Sequence, residues 1–318
     1  MESEVEVQDA ISSICVVIPA YKVSKHILQV ITSIGPEVDK IIIIDDACPE
    51  GSGELVRCST SDPRVEVLNH SVNQGVGGAV KSGYMRALAI NSKIIVKIDG
   101  DGQMDTSRII ELVSPLLNGA AGYTKGNRFF EVEAITKMPK IRILGNIGLS
   151  FLTKLSTGYW QIFDPNNGFT AVDATVLRKI PLNKLDSRYF FESDLLFRLN
   201  LYGVIVEDIP IPCLYGNEKS NLSIFRTLIE FPIKHLRNFF KRIIYTYYLK
   251  DFNLASIELP LGIVFGSFGL ILGLTNWITG LQDNQATPTG TLILVSMSII
   301  TGNQLILAFF SYDVNKRI

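Results

Sequence analysis

The chain has 318 residues, of which 47% are hydrophobic and 19% are charged, and its formal net charge at pH 7 is −1. This length accommodates one large domain or two ordinary ones. A net charge so close to zero gives no support for binding to nucleic acid. The apolar residues are unevenly distributed, because they concentrate towards the C-terminus.

The N-terminal two-thirds of the chain predicts strands and helices in alternation. Apolar runs rich in β-branched residues predict buried strands, and segments with helical spacing and composition lie between them. The predicted strands are 14–19, 40–44, 65–68 and 94–98, and the predicted helices are 25–34, 53–59, 77–91 and 107–117. This order predicts an α/β fold in which a mostly parallel sheet is covered by helices on both faces.

The stretch from 125 to 215 is less regular. It predicts a helix at 141–155, a helix that ends at Leu201 and a strand at 204–209. The next segment, 222–256, predicts juxtamembrane amphipathic helices with an apolar side and a basic side. Its apolar positions are Ile233, Leu236, Phe240, Ile243 and Tyr247, and its basic positions are Lys234, Arg237 and Lys241. A helix at the membrane interface and an ordinary helix packed on a soluble domain both fit this pattern.

Two nearly uncharged segments, about 259–281 and 290–312, predict a C-terminal transmembrane hairpin. Each has about the roughly 20 residues that a helix needs to cross the core of a bilayer. A buried helical hairpin in a soluble core is the alternative. The loop between the segments contains Asp283 but no Lys or Arg, whereas basic residues such as Lys250 and Lys316 flank the pair. The positive-inside rule therefore predicts that both termini and the N-terminal domain are cytoplasmic.

The predicted organisation follows from these segments. It consists of a flexible N-terminus at 1–12, an α/β domain at 13–221, juxtamembrane helices at 222–256, the hairpin at 257–313 and a cytoplasmic tail at 314–318. The start of the chain is acidic and polar, so no cleavable signal peptide is predicted. We expect an integral protein of the bacterial inner membrane or an equivalent membrane. Amphipathic juxtamembrane helices are compatible with a homo-oligomer, whose size the sequence leaves open.

The five residues Asp99-Gly100-Asp101-Gly102-Gln103 directly follow the fourth predicted strand. Two carboxylates one residue apart at the end of a strand can converge on one Mg²⁺ or Mn²⁺ ion, which takes the rest of its ligands from water and substrate phosphates. A polar turn is the alternative, because Asp and Gly are common turn residues. Ligands bind outside the carboxyl ends of parallel strands, so we expect Asp45 and Asp46, after the second strand, at the same edge.

Several motifs, taken in chain order, resemble the family 2 glycosyltransferases of the GT-A fold. They are Val17-Ile18-Pro19-Ala20-Tyr21, Ile44-Asp45-Asp46, Asn73-Gln74-Gly75-Val76-Gly77-Gly78-Ala79 and Asp99-Gly100-Asp101-Gly102-Gln103. Three further features resemble the polyisoprenyl-phosphate branch of that family. They are Gly126-Asn127-Arg128-Phe129, Asp164-Pro165-Asn166-Asn167-Gly168-Phe169 and the two-helix tail. This branch includes dolichol-phosphate mannose synthase and polyprenyl-phosphate glucosyltransferases.

The resemblance implies an inverting, metal-dependent glycosyltransferase. Its implied reaction moves one hexose, with glucose from UDP-glucose favoured, onto polyprenyl (undecaprenyl) phosphate at the cytoplasmic leaflet. The same reaction with GDP-mannose or another sugar nucleotide is one alternative. A membrane scaffold that binds sugar nucleotides without catalysis is the other.

The resemblance also implies roles for individual residues. The implied nucleotide-binding residues are Pro19, Ala20, Tyr21, Asp46, Asn73, Gly75, Gly77, Lys81, Asp99, Gly100 and Lys219. The implied ligands of Mg²⁺ or Mn²⁺ are Asp99, Asp101 and Gln103, and they count as catalytic together with Asp164 and Arg128. The implied acceptor-phosphate residues are Arg128, Arg142 and Ser150. Glu192 and Asp194 are expected either to contact the sugar or assist as a base, or to be carboxylates at a helix N-terminus.

Overall fold

The structure is a computed structural model that describes residues 13–128, 140–165, 167–211 and 224–316. Within these ranges, only the backbone is described at 140–144, 146 and 224–229. The chain divides into two compact units, Met1–Phe239 together with Ile318, and Phe240–Arg317.

A seven-stranded sheet forms the centre of the first unit. Its strands are β1 Ile14–Ala20, β2 Lys40–Asp45, β3 Val65–Asn69, β4 Ile94–Lys97, β5 Tyr123–Asn127, β6 Thr170–Asp173 and β7 Val206–Pro210. The spatial order is β3-β2-β1-β4-β6-β5-β7. Strand β6 runs antiparallel to β4 and β5, and the other described pairs are parallel. The predicted mostly parallel sheet is thereby confirmed.

Helices connect these strands and cover both faces of the sheet. In the first unit they are α1 Ile27–Ser33, α2 Ser52–Ser59, α3 Val76–Ala89, α4 Ile109–Leu117, α5 Lys140–Thr157, α6 Ala174–Lys179 and α7 Phe191–Leu201. Because side chains alternate along a strand, β1 supplies Cys15 and Val17 to the core on one face and Val16 and Ile18 to the core on the other. The interior strands are therefore apolar on both sides, as parallel strands covered by helices must be.

Strands β5 and β6 were not predicted from the sequence. Strand β5 has the sequence Tyr-Thr-Lys-Gly-Asn and β6 has only four residues, so neither has an apolar run that indicates a strand. Their positions come from pairing, since Lys97 of β4 lies opposite Thr170 of β6. This pairing places the start of β6 beside the carboxyl end of β4, where the Asp99 motif begins.

The second unit contains two long apolar helices, α9 Leu254–Asp283 and α10 Thr289–Asn315. By length and composition, both are sufficient to cross a membrane, and most of their residues are exposed within the protein. They pack closely on each other through glycines: a Cβ on Gly302 would lie 2.5 Å from the backbone nitrogen of Gly266. The two helices therefore form the hairpin that the sequence predicts.

Helix α8, Ile224–Ile244, lies in the segment predicted to be amphipathic, and the π-helical turn Tyr245–Lys250 continues it. Ile233, Leu236 and Phe240 are exposed, whereas Ile243 and Tyr247 are buried. The apolar positions of the predicted pattern lie on one helical face, which is exposed towards its N-terminal end and buried towards its C-terminal end. Tyr247 packs on Phe309 of α10, with ring centroids 5.1 Å apart.

Candidate active site

A buried lysine lies beside the first carboxylate of the Asp99 motif. Lys97, the last residue of β4, is 2% exposed, and its Nζ lies 2.7 Å from Oδ1 of Asp99. The same Nζ lies 3.2 Å from Oε1 of Glu192, in the first turn of α7. Burial alone would lower the pKa of Lys97, but the two carboxylates outweigh burial and hold that pKa above its ordinary value. Lys97 thus bridges two segments that are far apart in the sequence.

Gly168 brings a second motif against the same carboxylate. A Cβ on Gly168 would lie 2.3 Å from Oδ2 of Asp99 and 2.3 Å from Nζ of Lys97. Any side chain at this position would therefore displace one of the two charged groups. The motif from Asp164 to Phe169, which resembles the polyisoprenyl-phosphate branch, and the predicted metal motif meet here.

The residues after Asp99 form a tight turn. The backbone N–H of Gln103 donates to Oδ1 of Asp101 at 3.1 Å, and Gly102 has a φ of +76°, which favours glycine. No group of three or more His, Cys, Asp or Glu residues that could hold a metal occurs in the described part of the chain. A Mg²⁺ or Mn²⁺ ion that shares its shell with water and phosphates needs only one or two carboxylates. The donor set of Asp99, Asp101 and Gln103 fits a hard cation of that kind.

Arg128 and Asp164 form a bidentate ion pair. Nε of Arg128 lies 2.7 Å from Oδ2 of Asp164, and Nη2 lies 3.0 Å from Oδ1. The Asp164 residue is 1% exposed, whereas the side chain of Arg128 is 30% exposed. The structure therefore brings these two predicted catalytic residues together, with the arginine at the accessible side of the pair.

Lys125 holds the Asp164–Phe169 loop from inside the sheet. Its buried ammonium donates to the backbone carbonyl of Asn167, and burial lowers the pKa of Lys125. The side chain of Asn167 donates to the carbonyl of Gly126 at 2.6 Å and accepts from the backbone N–H of Phe169 at 3.0 Å. This loop is therefore fixed at Asn167 by both main-chain and side-chain hydrogen bonds.

Asp208 on β7 supports the same loop from its other side. Its Oδ2 accepts from the backbone N–H of Phe163 at 2.7 Å and from Nδ2 of Asn127 at 3.2 Å. Its Oδ1 is buried and has no hydrogen-bond partner within the described ranges. Burial raises the pKa of Asp208 to about 6.

The carboxylates after β2 are engaged in backbone hydrogen bonds. Asp46 accepts from the backbone N–H groups of Gln74 and Gly75, both at 2.8 Å, and its Oδ1 lies 2.7 Å from Nδ1 of His70. Asp45 accepts from the backbone N–H of Cys48, which precedes α2, and from that of Gly53, in the first turn of α2. Asp46 therefore fixes the glycine-rich turn that precedes α3.

That glycine-rich turn packs against the segment before α7. A Cβ on Gly75 would lie 2.6 Å from the carbonyl oxygen of Ser187, and one on Gly77 would lie 2.4 Å from that of Asp186. Lys81 donates from Nζ to Oγ of Ser187 at 2.6 Å. This packing accounts for the two glycines and for the position of Lys81 without a ligand.

The remaining predicted nucleotide-binding residues that the structure describes lie at the carboxyl ends of β1 and β4 or, for Asn73, against Asp46 after β2. Pro19 and Ala20 end β1, and the carbonyl of Ala20 accepts from the backbone N–H of Asp46 at 3.1 Å. Tyr21, directly after β1, is exposed. Two further positions lie at the same edge. They are Asn73, which donates to the carbonyl of Asp46, and Gly100, which packs against Val23 and Ile27.

Other predicted site residues lie apart from this cluster or outside the described structure. Lys219 lies outside the described residues, and the side chain of Arg142 in α5 is not described. Ser150, also in α5, is 3.4 Å from the carbonyl oxygen of Phe163. Asp194 has different partners from Glu192, because the carboxylate of Asp194 accepts hydrogen bonds from Arg198 and from Asn238.

Sequence reasoning missed three charged residues at this site: Lys97, Lys125 and Asp208. Each lies in a short strand of the sheet. The signal that could have identified the lysines is an ammonium within a buried strand, since such a residue is almost never fully buried unless it is paired.

Comparison with known proteins defines the class. The model of the family "Glycosyl transferase family 2" matches residues 15–181, and the chain belongs to this family. Glucosyl-3-phosphoglycerate synthase from Mycobacterium tuberculosis, crystallised with Mn²⁺ and UDP-glucose, has a similar structure. The TM-score is 0.56 at 20% identity, with 74% of this chain and 82% of that chain covered. This likeness confirms the GT-A fold.

Two curated relatives have a higher sequence identity to this chain. The UDP-N-acetylglucosamine–dolichyl-phosphate N-acetylglucosaminyltransferase of Methanococcus voltae is 27% identical over 216 residues, which cover 64% of this chain and 86% of the relative. The undecaprenyl-phosphate mannosyltransferase of Micrococcus luteus is 28% identical over 178 residues, which cover 55% of this chain and 72% of the relative.

Proposed function

We propose that this protein transfers one hexose from a sugar nucleotide to a polyprenyl phosphate, producing a lipid-linked sugar on the cytoplasmic leaflet. The main support is that the two curated relatives are both named for a polyprenyl-phosphate acceptor, whereas their sugars differ. The acceptor class is thus the common feature, and the sugar is the variable one. Glucose from UDP-glucose is our favoured donor, and GDP-mannose and UDP-N-acetylglucosamine are the alternatives.

The reaction requires little acid–base catalysis. The phosphate of the acceptor is already an anion at neutral pH and attacks the anomeric carbon directly. The bond from that carbon to the donor diphosphate breaks, so the nucleoside diphosphate leaves and the configuration inverts. Catalysis then depends on positioning and on electrostatic stabilisation.

The residues at the carboxyl edge of the sheet suit the positioning and the electrostatic stabilisation of the donor. Asp99, Asp101 and Gln103 would hold Mg²⁺ or Mn²⁺, which when bound stabilises negative charge on the leaving diphosphate. Asp46 would support nucleotide binding by holding the glycine-rich turn, because its carboxylate is buried and accepts from the backbone N–H groups of Gln74 and Gly75.

Arg128 is our candidate for the acceptor phosphate, together with Arg142 and Ser150. Its fork is fixed by the buried carboxylate of Asp164, and nearly a third of the side chain is accessible. A guanidinium that is already oriented loses less conformational freedom when it binds a phosphate. Asp164 would then act by orienting Arg128 as well as by lining the sugar pocket.

The second unit and helix α8 support an integral membrane protein. Helices α9 and α10 have the length and composition of membrane spans. The exposed Ile233, Leu236 and Phe240 on α8 suit a helix that lies at the membrane interface. We accordingly assign catalysis to 13–221, interfacial contact to 222–256 and anchoring to 257–313, with the catalytic domain and both termini in the cytoplasm.

A donor panel tests the proposal. Purified full-length protein in detergent is incubated with undecaprenyl phosphate and with radiolabelled UDP-glucose, GDP-mannose or UDP-N-acetylglucosamine, each with Mg²⁺ or Mn²⁺. We expect label in the extracted lipid with one donor and none after chelation of the metal. Glu111→Gln, which changes an exposed carboxylate on α4, is the matched control and should retain activity. Absence of labelled lipid with every donor would favour the non-catalytic scaffold.

A further inference from the structure

Lys97 lies where the fold itself does not need a charge. It belongs to β4 between Val17 of β1 and Thr170 of β6, and its neighbours Val96 and Ile98 are completely buried. Burying an ammonium requires close pairing, and well-packed apolar side chains often replace buried ion pairs without loss of stability. A lysine at this position therefore needs an explanation other than packing.

The contacts of Lys97 supply that explanation. Its Nζ binds Oδ1 of Asp99 at 2.7 Å and Oε1 of Glu192 at 3.2 Å. Gly168 closes the other side, so close that a Cβ there would overlap both Oδ2 of Asp99 and Nζ of Lys97. One ammonium therefore holds a carboxylate at the end of β4 and a carboxylate at the start of α7. It also lies directly beside Gly168 of the Asp164–Phe169 loop.

We infer that Lys97 is a positioning residue that fixes the orientation of Asp99 and, with Glu192, sets the charge that an incoming divalent cation meets. The inference rests on the proposed function, because it takes Asp99 to be a metal ligand. Lys97 engages Oδ1 of Asp99, and the side chain of Asp99 stays 32% exposed, so the carboxylate would remain available to a cation. The positive charge of Lys97 opposes cation binding, and the negative charge of Glu192 favours it.

This arrangement predicts opposite effects from two substitutions. Lys97→Met removes the positive charge at similar length, so Mn²⁺ should bind the nucleotide-free protein more tightly, by at least threefold. Transfer should nevertheless slow at least tenfold in kcat at saturating Mn²⁺, because Asp99 loses its fixed orientation. Glu192→Gln removes the negative charge, so Mn²⁺ should bind at least threefold more weakly. A purely structural role for Lys97 would not give opposite changes in metal affinity.

Electron paramagnetic resonance of free Mn²⁺ measures this binding directly. Full-length protein in detergent is titrated with Mn²⁺, alone and with UDP, and the variants are compared with Lys93→Met, which changes an exposed lysine just before β4. The control should stay within twofold of the unmodified protein. Gly168→Ala is the second route, since it displaces Asp99 or Lys97 without altering charge and should lower kcat in a folded protein.

Asp99→Asn separates failure of the inference from failure of the proposed function. If Asp99→Asn abolishes Mn²⁺ binding while Lys97→Met and Glu192→Gln bind Mn²⁺ like the unmodified protein, the inference about Lys97 is wrong and the metal site stands. If Asp99→Asn leaves Mn²⁺ binding unchanged, the metal assignment is wrong and the inference falls with it. If Lys97→Met does not fold, an unchanged Mn²⁺ affinity in Glu192→Gln overturns the inference.

Discussion

Replacing Asp208 by asparagine should stabilise the first unit at neutral pH. One carboxylate oxygen of Asp208 accepts two hydrogen bonds, and the other is buried without a partner within the described ranges. Asn can accept the same two bonds and carries no charge. The substitution therefore removes a buried charge that the surrounding structure supports only in part.

The raised pKa gives the size and the sign of the effect. The pKa of Asp208 rises from 3.8 to about 6 in the folded protein. Between these values the folded state keeps a proton that the unfolded state releases, so stability falls as the pH rises through this range. The charge then costs roughly 3 kcal/mol at pH 7.5 and about half of that at pH 5. The amide nitrogen of Asn takes the place of the unpartnered oxygen, at a cost of about 1–2 kcal/mol at both pH values.

Thermal unfolding at two pH values tests this reasoning. The chain has two tryptophans. In a Trp277→Phe background, the fluorescence of Trp160 reports on the first unit. Asp208→Asn should raise Tm by about 2–8 °C at pH 7.5, since a net gain of about 1–2 kcal/mol remains and 1 kcal/mol shifts Tm by roughly 2–4 °C in a unit of this size. The gain should shrink or reverse at pH 5, and Glu207→Gln, an exposed neighbour, should show no such dependence. A gain that is equal at both pH values, or larger at pH 5, would refute the argument.

Three further substitutions test the site and the two units. Asp101→Asn should abolish transfer and leave thermal unfolding unchanged, because it removes a charge of the proposed metal site and little volume; full activity with Mg²⁺ would contradict the assignment. Gly77→Ala should destabilise the first unit by about 1–3 kcal/mol in denaturant unfolding, since its Cβ would lie 2.4 Å from the carbonyl oxygen of Asp186. Asp313→Asn should destabilise the second unit by about 3–5 kcal/mol, because its carboxylate forms hydrogen bonds of 2.6 and 2.9 Å with the buried Arg242; a near-zero change in the unfolding free energy would show that this pair contributes little.

The sheet could be predicted where local sequence determines it. Strands β1, β2 and β4 contain continuous apolar runs and are buried on both faces, whereas β3 is half-buried and carries Val65, Val67 and Leu68. Strand β6 could not be predicted, because its four residues become a strand only through antiparallel pairing with β4 and β5. The antiparallel strand inside the sheet thus comes from tertiary contacts that no local pattern records.

The same distinction explains what was missed at the site. Asp99 and Asp101 were predictable, because the motif is contiguous and its place after a strand sets its position on the sheet. The role of Lys97 was not, since its partner Glu192 lies 95 positions further along the chain. In the sequence, Lys97 reads only as an interruption of an apolar run.

The acidic residues of the site differ in how much of each carboxylate a ligand can still reach. Asp45, Asp46 and Asp194 are buried and accept hydrogen bonds from the backbone of neighbouring segments, and Asp164 is buried under Arg128. Asp99, by contrast, keeps a side chain that is 32% exposed even though Lys97 binds one of its oxygens. An incoming diphosphate and its cation need a carboxylate that is oriented and still reachable. Asp99 meets both conditions because the ammonium that orients it approaches from inside the sheet, on the side away from solvent.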